Sequence, residues 1–128
     1  MKYMLLIYQD EQSWNSRTED ERQKTYAEYR QLIEELKSSG QYLFGDQLQS
    51  TATAQGVRVR NGKQFITDGP FAETREQVGG FFMIEANDAD EANRIAARIP
   101  SARTGTIEVR PVVQSAIVTE PRAVATGS

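Results

Sequence analysis

The chain has 128 residues, with 15 Lys plus Arg against 18 Asp plus Glu, and it contains neither cysteine nor histidine. The length suits one domain, and a net charge of -3 offers no basic field to gather the phosphates of a nucleic acid. Without cysteine there are no disulfides, thiolate nucleophiles or zinc–cysteine sites, and without histidine the commonest general base and metal ligand at neutral pH are missing.

Any chemistry must therefore come from carboxylates, Tyr, Lys or Arg, and neither a metal nor an organic cofactor is expected. The first segment, Tyr3-Met4-Leu5-Leu6-Ile7-Tyr8, is apolar on both strand faces and stops at Gln9-Asp10. It is too short to span a bilayer, which needs about 20 apolar residues, and it reads as the first strand of a cytoplasmic protein with no membrane contact. Thr18-Glu19-Asp20-Glu21 has the Thr-x-x-Glu pattern of a capping box. Tyr26, Tyr29, Leu32, Ile33 and Leu36 then recur at helical spacing up to a stop at Gly40, which predicts an amphipathic helix over 19–38. Trp14 falls in a polar loop before it, able to cap a cavity or to pack over the helix start.

Tyr42-Leu43-Phe44 opens a second strand that runs through Gly45-Asp46 towards Leu48, and residues 50–54 read as a loop. Val57-Arg58-Val59-Arg60 alternates, Asn61-Gly62 is a type I′ turn signal, and Lys63 to Thr67 returns, so a hairpin is predicted. Its Arg58/Arg60 face should meet solvent or a partner. Phe81-Phe82-Met83-Ile84 is again apolar on both faces, and Gly79-Gly80 before it suits a bulge or a close backbone approach. Asp88-x-x-Glu91 caps a second helix that ends at Pro100, and Thr106 to Val113 alternates as a last strand. The chain divides into a single domain over 1–118 and a tail over 119–128, poor in periodicity.

The predicted order is β-α-β-(hairpin)-β-α-β, a ferredoxin-like α+β arrangement with a hairpin inserted in its middle. Two helices cover only one face of such a sheet. Strands that are apolar on both sides then need a second cover, and a twofold homodimer packed sheet to sheet supplies it with one self-complementary surface.

Candidate chemistry concentrates at Asp68-Gly69-Pro70-Phe71-Ala72-Glu73. One reading is a simple turn: Gly takes positive φ, Pro fixes φ, and Asp bonds nearby amides. The other is that the turn aims Asp68 and Glu73 beside Phe71 and Phe81, where an apolar wall raises a carboxylate pKa and makes an acid–base pair without histidine. Arg58, Arg103 and Arg110 are the cations able to hold an anionic ligand, with Arg110 the most interesting because its strand face is polar beside an apolar one. Tyr26 and Tyr29 belong to the packed helix face, with a phenol lining a cavity as the alternative.

The run Asp68 to Glu76, followed by Gly79-Gly80-Phe81-Phe82, resembles the signature of the DGPF group of YCII-related proteins, a DGPFAE(T)KE-like motif leading into a GG-aromatic strand. The resemblance covers nearly the whole chain up to Val113 and implies a dimeric α+β barrel, in which two ferredoxin-like sheets enclose a shared cavity. It also places Asp46 where many members carry a turn at the cavity mouth. Some YCII-related enzymes are understood to pair a histidine with an aspartate for elimination or isomerisation. That dyad does not transfer to a chain without histidine. Many relatives are encoded beside extracytoplasmic-function sigma factors, which implies a regulatory context. Three functions are thus expected. The first is a homodimer binding an unknown small molecule in an inter-sheet cavity, with Asp46, Phe71, Phe81 and Arg110 as ligand contacts. The second is a cofactor-independent lyase or isomerase using Asp68 or Glu73. The third is a module that contacts a regulatory protein partner through the hairpin.

Overall fold

The structure, a computed structural model, describes residues 1–69 and 74–114. In chain order it comprises β1 (Lys2–Gln9), α1 (Glu11–Asn15), α2 (Glu19–Ser38), β2 (Tyr42–Gln47), β3 (Gln55–Arg60), β4 (Lys63–Asp68), β5 (Gln77–Glu85), α3 (Ala89–Ala97) and β6 (Thr106–Pro111). Single 3₁₀ turns occupy Thr51–Thr53 and Pro100–Arg103. No helix among the described residues is long and apolar enough to cross a membrane.

β1 takes the centre because it is the most continuously apolar segment. It pairs antiparallel with β5 on one side and β6 on the other, and β2 adds antiparallel to the far edge of β5, giving the order β2-β5-β1-β6. This is the α+β antiparallel arrangement expected, consistent with a ferredoxin-like fold. The period-2 alternation of β1 sends Tyr3, Leu5 and Ile7 to one face, where Phe82 and Ile84 of β5 join them. α2 lays Leu32 and Leu36 on that face, and α3 adds Ala92, Ile95 and Ala96, small residues that let it approach closely. Leu5, Leu36, Ile84 and Ile99 are fully buried. Truncating Leu5 to Ala would cost about 2–5 kcal/mol through lost transfer energy and an unfilled cavity.

The helix starts follow the local chemistry. Thr18 Oγ1 accepts from the Glu21 amide at 3.1 Å while Glu21 Oε1 accepts from the Thr18 amide at 2.8 Å, so two otherwise orphaned donors are satisfied reciprocally. At the other end of α2, Gly40 takes a φ of 76°, open to glycine at little cost. Asp88 caps α3 by accepting from the Glu91 amide at 2.8 Å. α1 was not foreseen, since Trp14 is its one large apolar residue and no periodicity marks it. Asp10 caps it through the Gln12 amide at 2.9 Å, and Trp14 anchors it edge-on to Tyr26 with ring centroids 5.5 Å apart. The expected loop over residues 50–54 is in part the 3₁₀ turn, with Ser50 accepting from the Ala52 amide at 3.1 Å.

The hairpin forms as its sequence dictates, with Asn61 at φ 52° and Gly62 at φ 76° supplying the I′ turn. Among the described residues β3 and β4 pair only with each other, as a separate two-stranded sheet. Val57 and Ile66 face each other across it while remaining 62% and 55% exposed. The tail over 119–128 lies outside the described residues.

Candidate functional site

A cavity of about 580 Å³ opens between α2 and the helix-covered face of the sheet, and α1 and the segment after β2 frame its mouth. Its walls follow from the strand alternation that builds the core. Ile7 and Gln9 project from β1 on that face, Phe82 and Tyr42 do so from β5 and β2, and Tyr26, Tyr29 and Ile33 descend from α2. The edge-to-face contacts of Phe82 with Tyr42 at 5.3 Å and with Tyr29 at 6.1 Å hold the aromatic walls in fixed orientations.

Space remains because the floor is made of glycines. Ile7 pairs with Gly80 and Tyr8 with Val78, so Gly79 is the extra residue of a β-bulge. A Cβ on Gly80 would sit 2.9 Å from the Asp46 carbonyl oxygen, and one on Gly45 only 2.5 Å from that of Phe81. The pair Gly79-Gly80 is thus both bulge and close approach, which draws β2 against β5.

Polar groups converge at one end. Ser101, buried in the turn after α3, donates from Oγ to Gln9 Oε1 at 2.8 Å, and its Oγ lies 2.7 Å from Tyr29 Oη. Because the single hydroxyl proton of Ser101 is directed to Gln9, the phenol donates to the serine oxygen. Burial pushes the Tyr29 phenol above its usual pKa, and burial followed by the Asp46 charge does the same to Tyr42. At the mouth, Gln47 Nε2 donates to Tyr26 Oη at 3.2 Å. Glu11 uses its carboxylate to tie α1 to the next loop, accepting from the Thr51 amide at 2.9 Å and the Thr51 hydroxyl at 2.8 Å.

The residues proposed from sequence distribute as follows. Asp46 borders the cavity from edge strand β2 through its backbone, and its register opposite Phe81 puts its side chain on the uncovered face. Phe81 lies on that same uncovered face, where its ring meets Phe44 edge-on at 6.2 Å. Arg110 also follows the uncovered face of β6, with its Nε 2.7 Å from Glu108, and Glu108 in turn accepts from Tyr8 Oη at 2.8 Å. The arginine and the phenol draw the Glu108 carboxyl below its ordinary range, while the carboxylate raises Tyr8 and Arg110. Asp68 ends β4 exposed, accepting from Gln55 Nε2 at 3.0 Å, and does not border the cavity. Phe71 and Glu73, with Pro70 between Gly69 and Phe71, lie outside the described residues. Arg103 pairs with Glu28 at 2.7 Å on the surface.

Sequence reasoning missed Gln9, Glu11, Gln47 and Ser101. Gln9 was within reach, since it continues the alternation of Tyr3, Leu5 and Ile7. Ser101 carried no local signal: a serine after a helix-ending proline looks like any loop residue, and only the docking of that turn under α2 gives it meaning. Tyr29 packs against the core as the helix-face reading expects, and both Tyr26 and Tyr29 also border the cavity.

With this geometry in place, comparison with known proteins fixes the family. The YCII-related domain matches residues 1–116, and the chain belongs to the YCII-related family. It is similar to an uncharacterised protein of Rhizobium meliloti (strain 1021), 32% identical over 114 residues, which span 88% of this chain and 92% of the relative.

Proposed function

We propose that this YCII-related protein binds a small organic molecule in the cavity between α2 and the sheet, and that it works as a homodimer packed through the uncovered sheet faces in a dimeric α+β barrel. The observation that carries the binding role is the cavity itself. At about 580 Å³, with aromatic walls and a few converging polar groups, it has the size and composition of a small-molecule site. Relative to the sequence reading, the seat moves from between two sheets to within one protomer.

Trp14 is the only tryptophan in the chain and borders the cavity, so its emission reports occupancy directly. Compounds that shift Trp14 emission are expected to lose affinity in Ile33→Phe, which fills the space beside Tyr29. Hits whose affinity is unchanged in that variant would place binding elsewhere and overturn the assignment.

A second reading, contact with a regulatory protein through the hairpin, draws support from β3–β4. Val57, Val59, Phe65 and Ile66 are all exposed on it, an unusual density of apolar side chains for a two-stranded sheet in water.

A further inference from the structure

We infer that the cavity selects neutral, planar aromatic molecules bearing a carbonyl-type acceptor, which the Gln9 side-chain amide receives. This rests on reading the cavity as the ligand seat.

The first support is the direction of the hydrogen-bond chain. Tyr29 donates to Ser101 and Ser101 donates to Gln9 Oε1, so the chain ends on an acceptor that is already used. The Gln9 amide nitrogen has no hydrogen-bond partner among the described residues and stands at the cavity wall. Its two N–H donors are therefore open to a ligand at the polar end of the cavity, and they require an acceptor in return.

The second support is charge. No Lys or Arg lines the cavity among the described residues, while Glu11 does. An anionic ligand would enter beside that carboxylate with no cation lining the cavity to receive it. An organic cation meets the opposite obstacle. Arg17 already lies 5.2 Å from the Trp14 ring centroid and Lys37 5.9 Å from that of Tyr42, so positive charge stands against two of the aromatic walls that would hold it. The carboxylate of Glu11 is in addition committed to Thr51. A neutral ligand avoids both penalties. The third support is shape, because the glycine floor and fixed ring edges favour a flat body over a branched one.

Benzamide, benzoate and benzylammonium differ mainly in charge and separate the classes. Titrated by calorimetry with Trp14 emission in parallel, benzamide is expected to bind about tenfold or more tightly than either ion. Equal or tighter binding of benzoate or benzylammonium would overturn the ligand class and leave the cavity reading intact. Binding of none of the three into the millimolar range would overturn both. Gln9→Glu tests the donor, since its carboxylate still accepts from Ser101 and lacks the amide hydrogens. Benzamide affinity is expected to fall about tenfold or more with the melting temperature maintained. Unchanged benzamide affinity in that variant would remove Gln9 from the site.

Discussion

Ser101 is the buried polar side chain of the described core, and its two contacts make it the residue on which the polar end of the cavity depends. Ser101→Ala strands a phenolic donor on Tyr29 and an acceptor on Gln9, so a loss of about 1–3 kcal/mol is expected. Tyr29→Phe removes the outer donor and leaves Ser101 bonded to Gln9, for which about 1 kcal/mol is expected. Urea denaturation of both variants and of the double variant checks the order. A double-variant loss equal to the sum of the singles would show that the chain does not act as a unit. The raised pKa of Tyr29 adds a pH signature. Its unfolded value is near 10.0, and the folded phenol holds its proton beyond that. Above that pH the unfolded chain binds fewer protons than the folded one, so the contribution is fully present below the unfolded pKa and is lost as pH rises towards the folded one. Tyr29→Phe should flatten that decline in alkaline denaturation, and an unaltered slope would assign the decline to other groups. Asp68 poses the complementary case. If the lyase or isomerase reading holds, Asp68→Asn abolishes turnover while stability is maintained. If the carboxylate serves only Gln55, the change alters the hairpin and leaves function proportional to folded protein.

At the scale of elements, the helices were legible because their signals are local. The capping pairs Thr18/Glu21 and Asp88/Glu91 fix where α2 and α3 begin, and the apolar stripe on α2 fixes the face it buries. The I′ hairpin was legible for the same reason, since Asn61-Gly62 specifies its own φ values. α1 and the two 3₁₀ turns were not, because docking rather than sequence pattern holds them. The cavity was only half legible: the aromatic positions followed from periodicity, while the empty floor came from cross-strand approach at Gly45 and Gly80, which no local pattern states. The adjacent glycines give a sharp test. A Cβ on Gly79 meets nothing within 4 Å, whereas one on Gly80 meets Asp46 backbone at 2.9 Å. Gly79→Ala is therefore expected to be neutral or to stabilise by about 0.4–1 kcal/mol through the unfolded chain. Gly80→Ala is expected to destabilise by about 1–3 kcal/mol and to shift Trp14 emission as β2 moves off β5. Equal effects at the two positions would refute the bulge geometry.

At the scale of the whole molecule, the uncovered sheet face sets the strongest demand. Met4 and Leu6 of β1, Phe81 and Met83 of β5 and Phe44 of β2 share it by register, and Phe44 stays 52% exposed in the single chain. Beside them, towards edge strand β6, lies a polar cluster of Tyr8, Glu108 and Arg110, whose members already satisfy one another. Such a face suits self-association, since the apolar part supplies the driving force and the internally paired cluster adds little desolvation beyond what it has already met. A specific dimer of this kind should bury roughly 1,200–2,000 Å². Met83 is the informative position because it pairs with Met4 on one side and Phe44 on the other, at the middle of the apolar area. Met83→Asp places a charge there without touching the core face, which is held by Phe82 and Ile84. Light scattering is expected to show a dimer for the natural chain and a monomer for the variant, with helix content retained in far-ultraviolet circular dichroism. A folded monomer for the natural chain at micromolar concentration would overturn the dimer and transfer the need for cover to a different partner, for which the exposed hairpin is the nearest candidate surface.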